Sequence, residues 1–260
     1  MKIQPGVSAI VTGGASGLGE ASARILAAEG AKVTLFDLNE QRGQEIAAEI
    51  GGHFVKVNVA DEQSVDAGFA SARAAHGQER VMVSCAGIGW AEKTAGRKRD
   101  TGEIVTHSVD GFSMVININL IGTFMCMSKS AAGMMTLEPV DGESRGVVIN
   151  TASVAAVDGQ IGQLAYSASK GGIVAMTLPA ARDLAREGIR VLTILPGFFE
   201  TPIYDSLPPH VRTALEAHTV FPARFGRAEE YGNFVMSLIG NDYINGEHIR
   251  LDAAARMPPR

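Results

Sequence analysis

Three side chains in the middle of the sequence could together exchange a proton with an alcohol or a ketone. Tyr166 and Lys170 are four residues apart in a helical pattern, so they would share one face of a helix. Ser153 lies just beyond the apolar, β-branched run at residues 147–149, which is typical of a buried strand. A phenol with a pKa of about 10 is a poor base near neutrality, and we expect the Lys170 ammonium to lower the pKa of Tyr166. The serine hydroxyl would hold the oxygen that gains or loses the proton.

A tyrosine and a lysine at this spacing are more often an ordinary surface pair, so the hypothesis needs a second feature. Residues 7–12 have the pattern of a short strand, a glycine-rich turn follows, and an alanine-rich helix then runs to about Glu29. Glycines let the backbone approach a pyrophosphate, and a helix N-terminus offers it free N–H groups and a positive dipole end. The order of strand, turn and helix therefore predicts the start of a dinucleotide-binding βαβ unit.

An acidic residue ends the next predicted strand. This strand covers residues 32–36, and Asp37 follows it, 18 residues after Gly19. A carboxylate here can accept hydrogen bonds from the adenosine ribose hydroxyls and would repel the extra phosphate of NADP, so NAD is the expected cofactor. The simpler alternative is that Asp37 only caps the helix that begins near Glu40.

Strands and helices alternate along the whole chain, which predicts an α/β fold. Helical segments between strands require crossovers, so we expect a Rossmann-type, doubly wound parallel sheet of about seven strands with helices on both faces, in a single domain. We expect a loop at residues 87–108, one long helix at 109–135 and a lid-like loop at 203–225. The remaining predicted strands are 53–59, 80–85, 189–195 and 247–251, and the other predicted helices are 40–50, 61–75 and 228–239.

Composition argues against several other classes of protein. The 260 residues are 46% hydrophobic, enough for a large core, and the net charge of −5 does not favour nucleic acid or an anionic membrane. Cys85 and Cys126 are the only cysteines, and no apolar run reaches the roughly 18 residues needed to span a bilayer. The N-terminus lacks a signal-peptide core and the six histidines lack metal-ligand spacing. We therefore expect a cytoplasmic protein with no metal.

The chain resembles the short-chain dehydrogenase/reductases over essentially its whole length. The family's glycine motif matches residues 12–19, its N-L-x-G motif residues 119–122, its Y-x-x-x-K motif residues 166–170 and its P-G-x-x-x-T motif residues 196–201. This resemblance implies a catalytic set of Asn119, Ser153, Tyr166 and Lys170, in which Asn119 positions a water that links Lys170 to solvent. The expected cofactor contacts lie in the glycine turn, at strand ends and in the last motif: Gly13, Ser16, Gly17, Leu18, Gly19, Asp37, Asn58, Val59, Cys85, Ala86, Gly87, Tyr166, Lys170, Pro196, Phe199 and Thr201.

Three segments, 150–172, 176–179 and 245–257, are similar to those family members that oxidise short-chain 3-hydroxyacyl-CoA esters with NAD. The resemblance implies a small-molecule substrate, an acyl-CoA, and a homotetramer built on helix 109–135 and the helix that carries Tyr166. A secondary-alcohol or hydroxysteroid dehydrogenase, a 3-ketoacyl reductase and a non-catalytic scaffold are the alternatives. The intact proton-transfer set weighs against a scaffold, and Asp37 weighs against an NADPH-linked reductase.

Two further features bear on substrate and assembly. The basic run Arg97, Lys98 and Arg99 could hold the phosphates of a CoA ester at the rim of the cleft, although such runs are often only solvated surface. Helix 109–135 carries more methionines than one buried face needs, and methionine packs adaptably at protein contacts. They are Met114, Met125, Met127, Met134 and Met135.

Three positions depart from the family pattern. Residues 84–87 read Ser-Cys-Ala-Gly instead of N-N-A-G, Asn58 replaces the adenine-binding aspartate, and residues 252–254 read Asp-Ala-Ala instead of D-G-G. Asn58 can still accept a hydrogen bond through its amide oxygen. None of these changes touches the proton-transfer set, so we expect an active enzyme.

Overall fold

Seven parallel strands form the centre of the computed structural model, which describes residue 1 and residues 3–140, 143–202 and 209–259. Their order in the sheet is β3-β2-β1-β4-β7-β8-β9. A separate antiparallel hairpin consists of β5 and β6. The strands are β1 Ser8–Thr12, β2 Lys32–Asp37, β3 His53–Lys56, β4 Val81–Ser84, β5 Ala95–Arg97, β6 Ile104–Thr106, β7 Gly146–Thr151, β8 Ile189–Pro196 and β9 His248–Leu251.

Helices cover both faces of the sheet, which confirms the predicted fold class. Two neighbouring residues of β1 show the division, because Ile10 belongs to one apolar core and Val11 to the other, as the alternation of a strand requires. The core around Val11 contains side chains of α1, α2 and α8, and the core around Ile10 contains side chains of α3, α5 and α6. The helices are α1 Gly17–Ala28, α2 Glu40–Ile50, α3 Glu62–His76, α4 Val109–Val115, α5 Gly122–Met134, α6 Leu164–Asp183, α7 Pro209–Glu216 and α8 Ala228–Gly240.

The strand order reverses at the middle of the sheet and this opens a crevice. The chain runs from β1 outward to β2 and β3, then returns to place β4 on the other side of β1. Loops that leave the carboxyl ends of β1 and β4 therefore diverge, and ligands of doubly wound sheets bind where this happens.

Four predicted elements differ from the structure. The predicted loop at 87–108 contains the β5–β6 hairpin, whose strands have three residues each and are too short to show an alternating pattern. The predicted helix 109–135 is interrupted by a π-helical segment at Ile116–Ile121. The third strand ends at Lys56 rather than at residue 59. In the predicted lid, residues 209–216 form α7, while residues 203–208 lie outside the described part of the chain.

The stretch Val109–Met134 combines 26 residues with an 18-residue window of mean hydropathy 1.4, so length and composition alone would allow it to cross a membrane. Its second half packs against β4, β7 and α3, and Cys126, Met127 and Met134 are buried in the core there. This is the position of a core helix in a doubly wound fold.

Candidate active site

The glycine-rich turn joins β1 to α1 in a backbone shape that requires glycine. Gly17 has a φ of +52°, and a Cβ at this position would crowd the side chain of Thr201. A Cβ on Gly19 would lie 2.1 Å from the carbonyl oxygen of Gly13, so only glycine lets the helix start this close to the turn. Ser16 is the N-cap residue of α1 but its side chain forms no capping hydrogen bond. The first turn of this helix thus keeps free N–H groups for an anion.

Asp37 ends β2 beside this turn and fixes it. One carboxylate oxygen accepts a hydrogen bond from the backbone N–H of Ala15 at 3.0 Å, and the other accepts one from Asn39 at 2.9 Å. The N-cap residue of α2 is Asn39, whose side chain accepts from the backbone N–H of Arg42. The alternative that Asp37 merely caps this helix is therefore wrong.

A cleft of about 370 Å³ runs across the carboxyl ends of the strands. All sixteen residues that the sequence predicted as cofactor contacts line it, from Gly13 at one end to Thr201 at the other. Ser153, Tyr166 and Lys170 line the same cleft. The two features that the sequence placed far apart along the chain thus share one cavity.

The three proton-transfer side chains come from two elements. Ser153 follows β7 and begins a single 3₁₀ turn, where its hydroxyl oxygen accepts from the backbone N–H of Ala155 at 3.1 Å. Tyr166 and Lys170 lie on α6, one turn apart, and the Nζ atom of Lys170 is 5.8 Å from the centre of the Tyr166 ring. This is the arrangement that the spacing of the residues predicted.

The expected lowering of the Tyr166 pKa by Lys170 is wrong. Burial raises the pKa of Tyr166 above its ordinary value, and a hydrogen bond with the Ser153 side chain opposes this only in part. Burial disfavours a phenolate because the charge would lose its hydration. The phenol of Tyr166 is therefore neutral at neutral pH.

Lys170 responds to the same burial in the opposite direction. Burial lowers the pKa of Lys170 to about 8. The ammonium donates a hydrogen bond of 2.9 Å to the backbone carbonyl of Thr151, the last residue of β7. At pH 7 this buried amine still carries its charge.

Asn119 lies behind the cleft wall rather than in it. It is fully buried in the π-helical segment, and its amide oxygen accepts from the backbone N–H of Ile88 at 2.8 Å. Its amide nitrogen donates to the carbonyl of Ile88 at 3.0 Å and to the hydroxyl of Ser169 at 3.1 Å. These bonds tie the loop after β4 to α6.

A Cβ on Gly87 would lie 3.1 Å from the Asn119 amide oxygen and 3.5 Å from Lys170 Nζ, so glycine lets both side chains approach the loop.

Asn58 stands at the far end of the cleft. Its amide oxygen accepts from the backbone N–H of Ala60 at 3.1 Å, and its backbone N–H donates to the hydroxyl of Ser64. The amide oxygen expected to accept from an adenine ring is thus already engaged with the chain, although it keeps a second lone pair.

Sequence reasoning missed residues that build the floor of the site. Thr12 ends β1, and its hydroxyl oxygen accepts from the backbone N–H groups of Cys85 and Ala86, at 3.2 Å each. Thr151 supplies the carbonyl that holds Lys170 and also contacts Tyr231 of α8. Thr12 is the first residue of the recognised glycine motif and Thr151 lies two residues before Ser153, and these positions are a signal that could have found them. Tyr231 has no such signal.

Comparisons with known proteins agree with this geometry. The family described as short chain dehydrogenase matches residues 8–212. A rat protein named 3-hydroxyacyl-CoA dehydrogenase type-2 is 48% identical over 256 residues, covering 98% of this chain and 97% of its own. The human protein of the same name has the same identity and coverage. The crystal structure of 3-hydroxyacyl-CoA dehydrogenase type-2 from Mycobacterium avium superposes with a TM-score of 0.91 at 41% identity, covering 98% of each chain.

Proposed function

The chain belongs to the short-chain dehydrogenase family, and from that premise we propose that it oxidises short-chain 3-hydroxyacyl-CoA esters to 3-ketoacyl-CoA esters with NAD. The observation that carries the proposal is the single cleft, which joins the glycine turn and Asp37 to Ser153, Tyr166 and Lys170. The relatives that match this chain over almost their whole length are named for the oxidation of 3-hydroxyacyl-CoA, which supports the substrate class.

The residues present fit a dinucleotide. The turn between β1 and α1 offers free N–H groups to a pyrophosphate, and the carboxylate of Asp37 has lone pairs left for ribose hydroxyls. A carboxylate there opposes a further phosphate, which supports NAD over NADP. When bound, NAD would supply the hydride acceptor, and the protein contributes placement and electrostatics.

The protein's own part in the reaction is to hold one oxygen and to move one proton. Ser153 is positioned to hydrogen-bond the substrate oxygen while Tyr166 exchanges its proton with that oxygen. Because burial keeps the phenol of Tyr166 neutral, this residue can donate a proton, which suits reduction of the ketone. In the oxidative direction the phenol must first lose its proton, so oxidation should speed up as the pH rises.

Turnover of acetoacetyl-CoA with NADH tests the proposal, with Tyr166→Phe as the matched variant. The variant removes one hydroxyl from a residue that the fold holds by packing, and its loss should lower kcat by roughly 10²–10⁴-fold while the Kd for NADH changes little. No turnover of acetoacetyl-CoA by the wild type, together with turnover of a hydroxysteroid or a simple secondary alcohol, would overturn the substrate class. More than half of the wild-type activity in the variant would overturn the role of Tyr166.

We propose in addition that the chain assembles as a homotetramer through α4, α5 and α6. In the single chain, Phe124 of α5 and Leu164 and Leu178 of α6 are exposed apolar side chains. Of the five methionines, Met127 and Met134 are buried in the core, Met125 is half-buried, and Met114 and Met135 are exposed, and the exposed pair supports a contact surface. Light scattering that returns a mass near 27.3 kDa at micromolar concentration would contradict this assembly.

A further inference from the structure

Behind Lys170, three side chains from different parts of the fold form a closed ring of hydrogen bonds: Thr151 and Tyr231 are buried, and Cys85, which follows β4, is half-buried. The hydroxyl of Thr151 donates to the sulfur of Cys85 at 3.3 Å, and the thiol of Cys85 lies 3.9 Å from the hydroxyl oxygen of Tyr231. The hydroxyl oxygens of Tyr231 and Thr151 are 2.7 Å apart. If Thr151 donates to Cys85, and Cys85 to Tyr231, then Tyr231 must donate to Thr151. Each group thus donates one hydrogen bond and accepts one, an arrangement in which the hydrogen bonds strengthen one another.

The ring is anchored in the core and reaches the cleft on one side. Tyr231 is fully buried, and its ring packs edge-on against Phe199 with centroids 6.2 Å apart. Cys85 and Thr151 line the cleft. Burial raises the pKa of Cys85 and raises that of Tyr231 well above its ordinary value. Both groups therefore keep their protons at neutral pH, and the ring remains neutral.

Thr151 connects this ring to Lys170. Its side chain belongs to the ring, and its backbone carbonyl accepts the hydrogen bond from the Lys170 ammonium at 2.9 Å. Lys170 has no ion-pair partner among the described residues, and this carbonyl is a fixed dipole that stabilises its charge. A hydrogen bond to the charged form of a group raises its pKa, and here it opposes part of the effect of burial.

We infer that Tyr231 is a positioning residue for Lys170, acting through Thr151 and Cys85. The ring fixes the rotamer of Thr151 and holds the end of β7 against α8, so the carbonyl presents a constant geometry to the amine. A neutral ring is suited to this task, because a carboxylate at the same place would raise the pKa of Lys170 far above neutrality. This inference rests on the proposed function for its effect on turnover, but not for its effect on Lys170.

The direct test follows the ionisation of Lys170 in the ligand-free protein by NMR, in protein with ¹³C-labelled lysine. The Lys170 signal is assigned by its disappearance in Lys170→Met. In the wild type it should titrate near pH 8. In Tyr231→Phe, which keeps the packing and removes the hydroxyl, the pKa should fall by roughly half a unit or more because the carbonyl is less firmly placed. Thr151→Val breaks the ring from the other side and should lower the pKa in the same direction.

Two further variants separate positioning from general destabilisation. Thr151→Ser restores a hydroxyl and should return the Lys170 pKa toward the wild-type value. Tyr243→Phe removes a hydroxyl that is 99% exposed and should leave the pKa unchanged. A Lys170 pKa that is the same in Tyr231→Phe, Thr151→Val and the wild type overturns the inference, even if all three fold and turn over substrate.

Turnover provides a second measurement, which tests the role of Tyr231 independently of the NMR titration. In Tyr231→Phe the pH profile of kcat should move with the Lys170 pKa, and kcat at neutral pH should fall by roughly 3- to 10-fold, as expected for a misplaced group. If the wild type shows no activity with acetoacetyl-CoA, the proposed function fails, while the NMR titration still decides the role of Tyr231.

Discussion

The ammonium of Lys170 lies over the face of the Tyr166 ring, 5.8 Å from its centre; the lysine is buried and the tyrosine is half-buried at the cleft. The ring face attracts the cation, so the contact does not depend on a phenolate. Burial moves both pKa values toward the neutral forms, upward for the phenol and downward for the amine. Charge on either group is therefore destabilising, and this has a measurable effect on the stability of the fold.

We predict that Lys170→Met stabilises the protein at neutral pH while it abolishes turnover. A pKa lowered from 10.5 to about 8 means that the folded state holds the proton less tightly than the unfolded chain does. The difference corresponds to roughly 3 kcal/mol at pH 7, reduced by the lost hydrogen bond to Thr151. Methionine has a similar length and no charge, so the variant should show a higher free energy of unfolding in urea.

The stability that Lys170 costs the fold should depend on pH. Below pH 8 the buried ammonium destabilises the fold fully, and between pH 8 and 10.5 the folded state loses the proton while the unfolded chain keeps it. The wild type should thus gain stability from this residue as the pH rises through that window, and its difference from Lys170→Met should shrink. Lys56→Met, at a largely exposed position, is the control and should show no such trend. A difference that stays constant from pH 7 to 10 would contradict the assignment.

Cofactor choice should follow the charge of Asp37. Asp37→Ala removes the acceptor for ribose hydroxyls and for the Ala15 N–H group, so the Kd for NAD should rise roughly 10-fold or more. Asp37→Asn keeps one acceptor for that N–H group but loses the charge, so it should improve NADP binding with a smaller loss for NAD. Titration of both cofactors into the three proteins measures this. Equal affinity of the wild type for NAD and NADP would show that Asp37 does not select the cofactor.

Local sequence was sufficient for the features that depend on short spacing. One short motif contains Gly17 and Gly19, and another contains Tyr166 and Lys170. The alternation of strands and helices predicted the sheet. What could not be predicted depends on contacts distant in sequence. Tyr231 meets Thr151 across 80 residues. The pKa of Tyr166 has the opposite shift from the expected one because the shift depends on burial, which the spacing of two residues does not report.

The Asp-Ala-Ala turn after β9 should be under strain. Ala253 and Ala254 have φ values of +51° and +60°, a region that costs a residue with a Cβ roughly 1–2 kcal/mol. The turn is held there because the Ala253 carbonyl accepts from Val220 at 2.9 Å and the Asp252 carboxylate accepts from Ala254 at 3.1 Å. Ala253→Gly and Ala254→Gly should each raise the free energy of unfolding by about 0.5–1 kcal/mol, after the greater freedom of unfolded glycine is counted.

An exposed helical alanine provides the matched control for that prediction. Ala48→Gly in α2 should lower the free energy of unfolding by about 1 kcal/mol, because glycine is a poor helix former. Opposite signs at the turn and in the helix identify backbone strain as the cause. Loss of stability at both places would mean that the surrounding contacts remove the strain at the turn.

Among the described residues, two of the three cations of the basic run, Arg97 and Arg99, have no ion-pair partner. Lys98 pairs with Glu103 at 2.7 Å, whereas Arg97 makes only a 3.4 Å contact with a backbone carbonyl. Arg99 has no ion pair among the described residues and is exposed. The hairpin is fixed at its base, where the backbone N–H of Glu92 donates to the carbonyl of Gly162, in the connection between Ser153 and Tyr166. This contact joins the base of the hairpin to the connection that precedes the helix bearing Tyr166.

We predict that Arg97→Ala together with Arg99→Ala raises the KM for acetoacetyl-CoA because the phosphates of CoA lose charge-assisted contacts. Two exposed charges should change the KM by roughly 2- to 10-fold, and the effect should diminish at high salt. Lys98→Ala is the matched control, since its charge is already neutralised by Glu103 and its removal should matter least.

A substrate without CoA, such as a small hydroxysteroid, should be unaffected by the double variant, because it has no phosphate to hold. An equal rise in KM for both substrates would mean that the arginines support the shape of the cleft wall. No change for either substrate would mean that the run is solvated surface.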